Sequence, residues 1–312
     1  MGLSARVRSA AGILLALLVF LVPGEAMARA NVQYPSSVGA GNPFVIRVTS
    51  SPPLTGVSVE WQGRSVPLDV AVWNNHYIAL GLFGTQTGKV KTGSHVMKIT
   101  LQSNGTRRQV SCSIRVTPVK YQEDHLTLPE SMVTPPANVL ARIAEERKAV
   151  GKALSTITLS REWGLPLARP VDGIVTSPYG RRRILNKKPR SPHGGMDFRA
   201  ATGTPVRAAL PGRVILTGDH YYAGKSVYVD SGGGAISHYF HLDSIAVKEG
   251  DRVNRGAVIA KSGMTGRSTG PHLHFGLSLS GQMVNPEPLF EGTIAGMLEK
   301  TVSRGVSITG GK

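Results

Sequence analysis

Between Phe44 and Val116 the apolar side chains recur at every second position, a spacing that suits an extended strand with one buried face. Phe44, Ile46 and Val48 alternate with Val45, Arg47 and Thr49, and Val57, Val59 and Trp61 with Ser58 and Glu60. Further on, Met97, Ile99 and Leu101 alternate with Lys98 and Thr100, and Val110, Cys112, Ile114 and Val116 with Ser111, Ser113 and Arg115. Pairs such as Gln62-Gly63 and Asn104-Gly105 separate these runs and read as turns. The pattern predicts a β-sandwich over residues 31–117. Cys112 falls on the apolar side of its strand and is expected to be buried and inert.

The rest of the chain divides by character. Residues 118–165 hold Leu128-Pro129, Thr134-Pro135-Pro136 and a helix-like stretch from Asn138 to Leu154, and read as a linker with one amphipathic helix. Val139, Leu140, Ile143 and Ala144 mark its apolar face, and the following charges read as solvated. From Pro166 to about residue 291 glycine and short β-type runs dominate, as in Gly212–Leu216, Ser226–Val229 and Ala235–Phe240, with no long helical period. This is a second β domain. Residues 292–312 read as a C-terminal tail. The expected fold class is all-β with two domains.

Arg6 and Arg8 precede an apolar run from Ala11 to Val22, and Ala26-Met27-Ala28 follows Pro23-Gly24. This is the layout of a secretory signal peptide over residues 1–28. The run is short of the roughly 20 residues that span a bilayer. Export gives the charge its meaning. The full chain carries 36 Lys and Arg against 19 Asp and Glu, a formal net charge of +17. An exported basic protein meets anionic cell envelope rather than nucleic acid, so the expected place is the periplasm or envelope, with secretion as the alternative. A single cysteine excludes an internal disulfide framework and a cysteine-based zinc finger.

Any metal site must therefore use histidine and carboxylate, and six of the nine histidines lie in the second domain. His193-Gly194-Gly195-Met196-Asp197 sets an imidazole and a carboxylate four apart, and His272-Leu273-His274 sets two imidazoles at alternate positions. On a strand, alternate positions share a face about 7 Å apart. Gly194 and Gly195 permit a sharp backbone path and leave room beside a metal. Two histidines, one carboxylate and a water make a hydrolytic zinc site, which also needs a base and a stabiliser of the developing charge. His241 is one candidate for that work. The other is whichever of His272 and His274 does not bind metal. His220 and His238 read as structural or peripheral.

Thr176-Ser-Pro-Tyr-Gly180, His193-Gly-Gly-Met-Asp197, Tyr239-Phe-His-Leu242, Gly263-Met-Thr-Gly266, Ser268-Thr-Gly-Pro-His-Leu-His274 and Asn285-Pro286 occur in order. In them the second domain, residues 166–291, resembles the lysostaphin/LytM-type zinc metallopeptidases. The region before it is similar to the β-type N-terminal part of exported Gram-negative members. The resemblance implies a small two-sheet β structure with a loop-lined groove, and one Zn2+ per catalytic domain. It implies that His193, Asp197 and His274 bind the zinc, that His272 is the general base, and that His241 orients water and stabilises the oxyanion. It also implies cleavage of peptide cross-links of peptidoglycan, with stem peptides as the partner. Two features depart from the pattern. A basic run (Arg181, Arg182, Arg183, Lys187, Lys188 and Arg190) precedes His193, where it could line the groove and attract stem-peptide carboxylates. Val229-Asp230-Ser231-Gly232 lacks a histidine that many relatives carry after this strand.

The leading expectation is thus an exported zinc metalloendopeptidase acting on peptidoglycan. The rivals are a non-catalytic cell-wall-binding or amidase-activating module, and an envelope protein that binds phosphate or lipid through its charge.

Overall fold

The computed structural model describes residues 29–127, 134–189 and 191–308. The expected signal peptide at 1–28 lies outside the described residues, as do Leu128-Pro129 and Arg190. Among the described residues no helix is long and apolar enough to cross a membrane.

Two five-stranded sheets form the first unit. One runs in the order Thr301–Ser307, Arg29–Pro35, Pro43–Ser50, His76–Gly84, Val70–Trp73. The other runs Ser37–Gly39, Thr106–Thr117, Gly93–Ser103, Gly56–Trp61, Arg64–Leu68. Their inner faces share one apolar cluster that includes Phe44, Ile46, Val59, Trp61, Met97, Ile99, Cys112 and Ile114. Cys112 is fully buried, and burial pushes its thiol pKa up. The strands 56–61 and 64–68 close through Gln62 (φ 49°) and Gly63 (φ 75°). The longest hairpin closes through Asn104 (φ 45°) and Gly105 (φ 76°). Both are two-residue turns in the left-handed region that tight hairpins require.

The expectation of a tail at 292–312 is corrected by two elements. Ile294–Glu299 forms a short helix, capped by the Thr293 side chain, which accepts from Gly296 N–H. Thr301–Ser307 then pairs antiparallel with Arg29–Pro35, residue 307 opposite residue 29.

The second unit is a ten-stranded hydrogen-bonded network. Its main path runs Val175–Ser177, Met196–Arg199, His272–Leu279, Ala235–Ile245, Gly224–Asp230, Gly212–His220, Arg252–Val253. The two sheets implied by the resemblance are joined into one. The cause is the long strand Ala235–Ile245, which pairs with 224–230 and 272–279 along most of its length and with Val258–Ser262 near its end.

The two units also share a core. Val45 and Leu82 are opposite one another in the first sheet, on the face away from the sandwich interior. Both are buried in the apolar cluster of the second unit, with Tyr179, Met196, Phe275 and Val284. Val45 was expected on the polar side of its strand. It is apolar because that side meets the second unit instead of water. Polar contacts reinforce the junction: Tyr179 donates to Met283 O at 2.7 Å, and Asn285 N–H donates to Gly41 O at 2.7 Å.

The linker crosses this junction. Glu123–Leu126 lies parallel to Arg182–Leu185, and Leu140–Leu154 forms the helix expected there. Its buried face differs from the one expected. Leu140 and Ala144 are exposed, whereas Ile143, Val150, Ala153 and Leu154 face inward. Ala153, Val150 and Leu154 pack with Tyr228, Ile236 and Phe240 of the large sheet. The docking site on that sheet, rather than the first turn of the helix, selects the buried stripe.

Candidate metal centre

The register of three strands assembles the site. In the pairing of Met196–Arg199 with His272–Leu279, Asp197 stands opposite His274, and Arg199 opposite His272. In the next pairing, Phe240 stands opposite His274. Asp197, His274 and Phe240 therefore form a row across one face, while Phe198, Leu273 and Tyr239 point into the core. Phe240 stacks on the His274 ring with centroids 5.1 Å apart and planes 12° apart.

His193 reaches this row from the loop before residue 196. Its Nε2 is 2.9 Å from His274 Nδ1 and 3.0 Å from Asp197 Oδ1. His274 Nδ1 is 2.9 Å from Asp197 Oδ1. Among the described residues these three form a group of donors close enough to hold a metal ion. A tetrahedral ion with bonds of about 2.0–2.1 Å sets neighbouring ligand atoms about 3.3 Å apart, so this triangle needs only a few tenths of an ångström of expansion. The donor chemistry fits zinc: two imidazoles, one carboxylate and an open side facing a groove.

Backbone carbonyls set the ring orientations. A carbonyl only accepts, so each nitrogen that faces one carries the proton. His193 Nδ1 faces Pro178 O at 3.0 Å, which leaves Nε2 as a lone-pair donor within the triangle. His272 Nδ1 faces Gly270 O at 2.8 Å, and its Nε2 lies 3.9 Å from Asp197 Oδ1. His241 Nδ1 faces Thr265 O at 2.8 Å, and its ring centroid is 4.7 Å from that of His272. His241 has a φ of 60°, an uncommon backbone state for a residue with a Cβ. Its N–H is held by Ala223 O at 2.8 Å, which fixes that conformation.

Electrostatics follow burial. Burial works to raise the Asp197 carboxyl pKa, but the hydrogen bonds and charges of His193 and His274 outweigh it and hold it well below the usual carboxylate range. Burial first, then the neighbouring His274 and His272, pushes His241 down to about 3. His241 is therefore neutral near pH 7.

Gly195 is the glycine that the site needs. A Cβ there would collide with Phe275 O and sit 2.7 Å from His274 Nε2. At Gly194 the nearest neighbour to a Cβ would be Met283 Cε at 3.6 Å. The room foreseen beside the metal is thus required at one of the two glycines.

The five residues singled out from sequence, His193, Asp197, His241, His272 and His274, all line one groove of about 500 Å³. So does His220, whose Nδ1 is 2.7 Å from Ser226 Oγ. His238 lies beneath the groove, fully buried, and burial pushes its pKa well below the ordinary value. The linker helix was not foreseen as a wall, yet Ile143, Glu146, Arg147 and Val150 line the groove. Glu146 was expected in solvent. Instead it accepts from Arg142 Nε at 2.6 Å and from Tyr221 N–H at 2.8 Å. The basic run before His193 is partly spoken for: Arg181 pairs with Asp124 at 2.8 Å and Arg182 with Glu123 at 2.9 Å. A helix amphipathic over residues 143–154 was the available signal, but nothing local reveals which sheet it covers.

A donor set of two imidazoles and a carboxylate, open to a groove beside two further histidines on a β scaffold, defines the class of all-β metallopeptidases. Residues 191–286 match the model described as Peptidase family M23. A Pseudomonas aeruginosa crystal structure assigned to peptidase M23 is 32% identical, covers 78% of this chain and 89% of its own, and superimposes with a TM-score of 0.57. The chain belongs to peptidase family M23. It is also 43% identical over 119 residues to the peptidoglycan DD-endopeptidase ShyA of Vibrio cholerae. It is 39% identical over 112 residues to the DD-carboxypeptidase/endopeptidase Mpg of Neisseria meningitidis. These matches cover 37% and 36% of this chain, and span 28% and 26% of the two relatives' lengths.

Proposed function

We propose that the protein is an exported zinc endopeptidase that hydrolyses peptide cross-links of peptidoglycan. The observation that carries this reading is the triangle of His193 Nε2, Asp197 Oδ1 and His274 Nδ1, with sides of 2.9–3.0 Å, beside the ring of His272, whose Nδ1 faces Gly270 O. The names of the curated relatives supply the substrate class.

The chemistry that zinc supplies in such a donor set is Lewis-acid polarisation of a carbonyl and a lowering of the pKa of a water towards about 7. The protein's own groups do the rest. His193, Asp197 and His274 would hold the metal, with His193 set in its tautomer by Pro178 O. His272 takes the proton of the attacking water at Nε2 and returns it to the leaving amine. His241 begins as an acceptor at Nε2 because its proton is committed to Thr265 O. It aligns the water by accepting from its second O–H at Nε2. Phe240 packs face-on against the His274 ring.

Residues 1–28 support export, and the periplasm or envelope is where such a substrate is met. N-terminal sequencing of the exported protein should then begin at Arg29.

The test uses zinc-loaded protein and the His274→Ala variant on purified cross-linked peptidoglycan, with fragments identified by mass spectrometry. Loss of cross-linked dimers with the wild type alone is the expected result and names the bond cut. Cleavage by both proteins, or by neither, would sink the proposal.

A further inference from the structure

We infer that the hairpin tip at Val72-Trp73 is a membrane-docking surface, and that with Arg29 and Arg107 it seats the outer end of the sandwich on a lipid bilayer bearing anionic headgroups. The inference rests on the export reading above for the side of the membrane on which the protein meets that bilayer.

The register of the first sheet brings these parts together. Ala30 stands opposite Ser50, Ser50 opposite Tyr77, and Tyr77 opposite Val72, so these residues form one row across the sheet. One step further out along their strands lie Arg29, where the described structure begins, and Trp73. They are three strand spacings apart, about 14 Å. The second sheet adds a turn to the same end. The loop after Ser50 leads to Gly56, which stands opposite Gln102, just before the Asn104-Gly105 turn. Thr55 N–H donates to Gln102 O at 2.9 Å and ties that loop down. The second unit meets the sandwich at the other end, where Asn285 N–H donates to Gly41 O and Val45 and Leu82 enter the shared core. Pro43–Ser50, which joins the two ends, is about 24 Å long. The catalytic unit is thus carried away from whatever the tip touches.

The tip exposes large apolar side chains. Val72 and Trp73 are 65% and 66% exposed, and no residue of Val70–Trp73 is fully buried. The turn that carries them is stiff: Asn74 (φ 47°) and Asn75 (φ 59°) make a tight two-residue connection, and His76 Nδ1–H donates to Asn74 O at 2.8 Å. The segments at this end carry Arg29, Arg107 and Arg108 against a single acid, Asp69. A stiff tryptophan tip with a cationic rim suits the headgroup region, where an indole finds both apolar and wet surroundings and arginine is drawn to anionic lipid.

The sequence indicates why lipid is the occupant. The apolar run Ala11–Val22 closely precedes Arg29, so the segment read as the export signal joins the fold at this end and presents it to the membrane. Cleavage after Ala28 would leave a free α-amino group on Arg29 and one more positive charge on the same rim. Val70–Trp73 is also a sheet edge, which makes a second copy of the chain the rival occupant.

The experiment uses the zinc-loaded exported protein, its amino terminus read by sequencing, with vesicles of mixed phosphatidylglycerol and phosphatidylethanolamine or of phosphatidylcholine alone. Trp61 and Trp163 are buried, so a change in tryptophan emission on binding reports Trp73. The expected result is a blue shift, quenching by brominated lipid, and co-sedimentation that weakens with salt and on phosphatidylcholine. Trp73→Ala should lower the partition coefficient about tenfold, and Arg107→Gln about fivefold on anionic vesicles alone. Both side chains are exposed, so both variants should keep the zinc content and melting temperature of the wild type. No co-sedimentation, or Trp73→Ala binding as well as wild type, overturns the inference. So does a wild type that is dimeric in sedimentation equilibrium without vesicles and becomes monomeric with Trp73→Ala, because a second copy then covers the tip. An amino terminus other than Arg29 overturns the proposed cleavage alone, and quenching of Trp73 by brominated lipid still decides whether the tip enters the bilayer.

Discussion

Asp197 and His274 stand directly across from each other on neighbouring antiparallel strands, and His274 Nδ1 lies 2.9 Å from Asp197 Oδ1. A shift of one residue in that register would send His274 to the opposite face of the sheet and into the core. Two of the three donors of the candidate metal site are therefore as secure as the strand pairing beneath them.

Removing the carboxylate charge while keeping its shape separates these two roles. Asp197→Asn should fold, because the strand pairing is backbone-made, but should lose zinc measured by elemental analysis after dialysis. A metal held only by the native arrangement stabilises it, so chelation should lower the melting temperature of the zinc-loaded wild type. The variant's melting temperature should not respond to the chelator.

Gly195 and Gly194 offer a paired test of packing. Gly195→Ala forces a Cβ against Phe275 O and the His274 ring, and overpacking of this kind costs roughly 1–3 kcal/mol. Zinc affinity should fall with it. Gly194→Ala meets nothing closer than 3.6 Å and should stay near wild type in denaturant unfolding and in zinc content.

Acid should weaken the fold through its buried histidines. Burial lowers the pKa of His220 below its ordinary value of 6.5, although Glu146 and Asp219 pull the other way. As pH falls below about 6.5, the unfolded chain binds the proton first, so stability drops with pH and is level above that value. His238 and His241 act with the same sign. Urea unfolding between pH 7.5 and 5 (conditions roughly bracketing a histidine pKa) should show this loss, and His220→Gln should make it shallower.

Leu82 belongs to a strand of the sandwich but is buried in the core of the other unit. Leu82→Ala should cost about 2–5 kcal/mol. Hydrogen exchange should then show lost protection around both Val45 and Val284, which lie on the two sides of the junction. Loss confined to the sandwich would mean that the units are not energetically joined.

The site was legible because its signals are local. Spacings of four and two residues, with glycines between, announce His193, Asp197, His272 and His274, and short strands translate such spacings directly into shared faces. What the sequence concealed depends on distant partners. Thr301–Ser307 shows little apolar alternation because it is an edge strand with Val306 as its one buried residue, so its pairing with Arg29–Pro35 left no periodic trace. The helix stripe at Ile143, Val150, Ala153 and Leu154 was obscured by Leu140 and Ala144, apolar residues that remain exposed. Val45 did carry a signal: an apolar residue on the supposedly polar side of a strand, opposite Leu82, marks a strand covered on both faces.

The pairing of Arg29 with Ser307 has a consequence for how the chain is made. The first segment of the described structure waits for its outer neighbour until the second unit has emerged, because the strand that completes its sheet follows that unit. During synthesis the sandwich therefore lacks its last edge strand while the strands that carry Asp197 and His274 are already complete in length. Order of appearance and order of completion are thus reversed between the two halves.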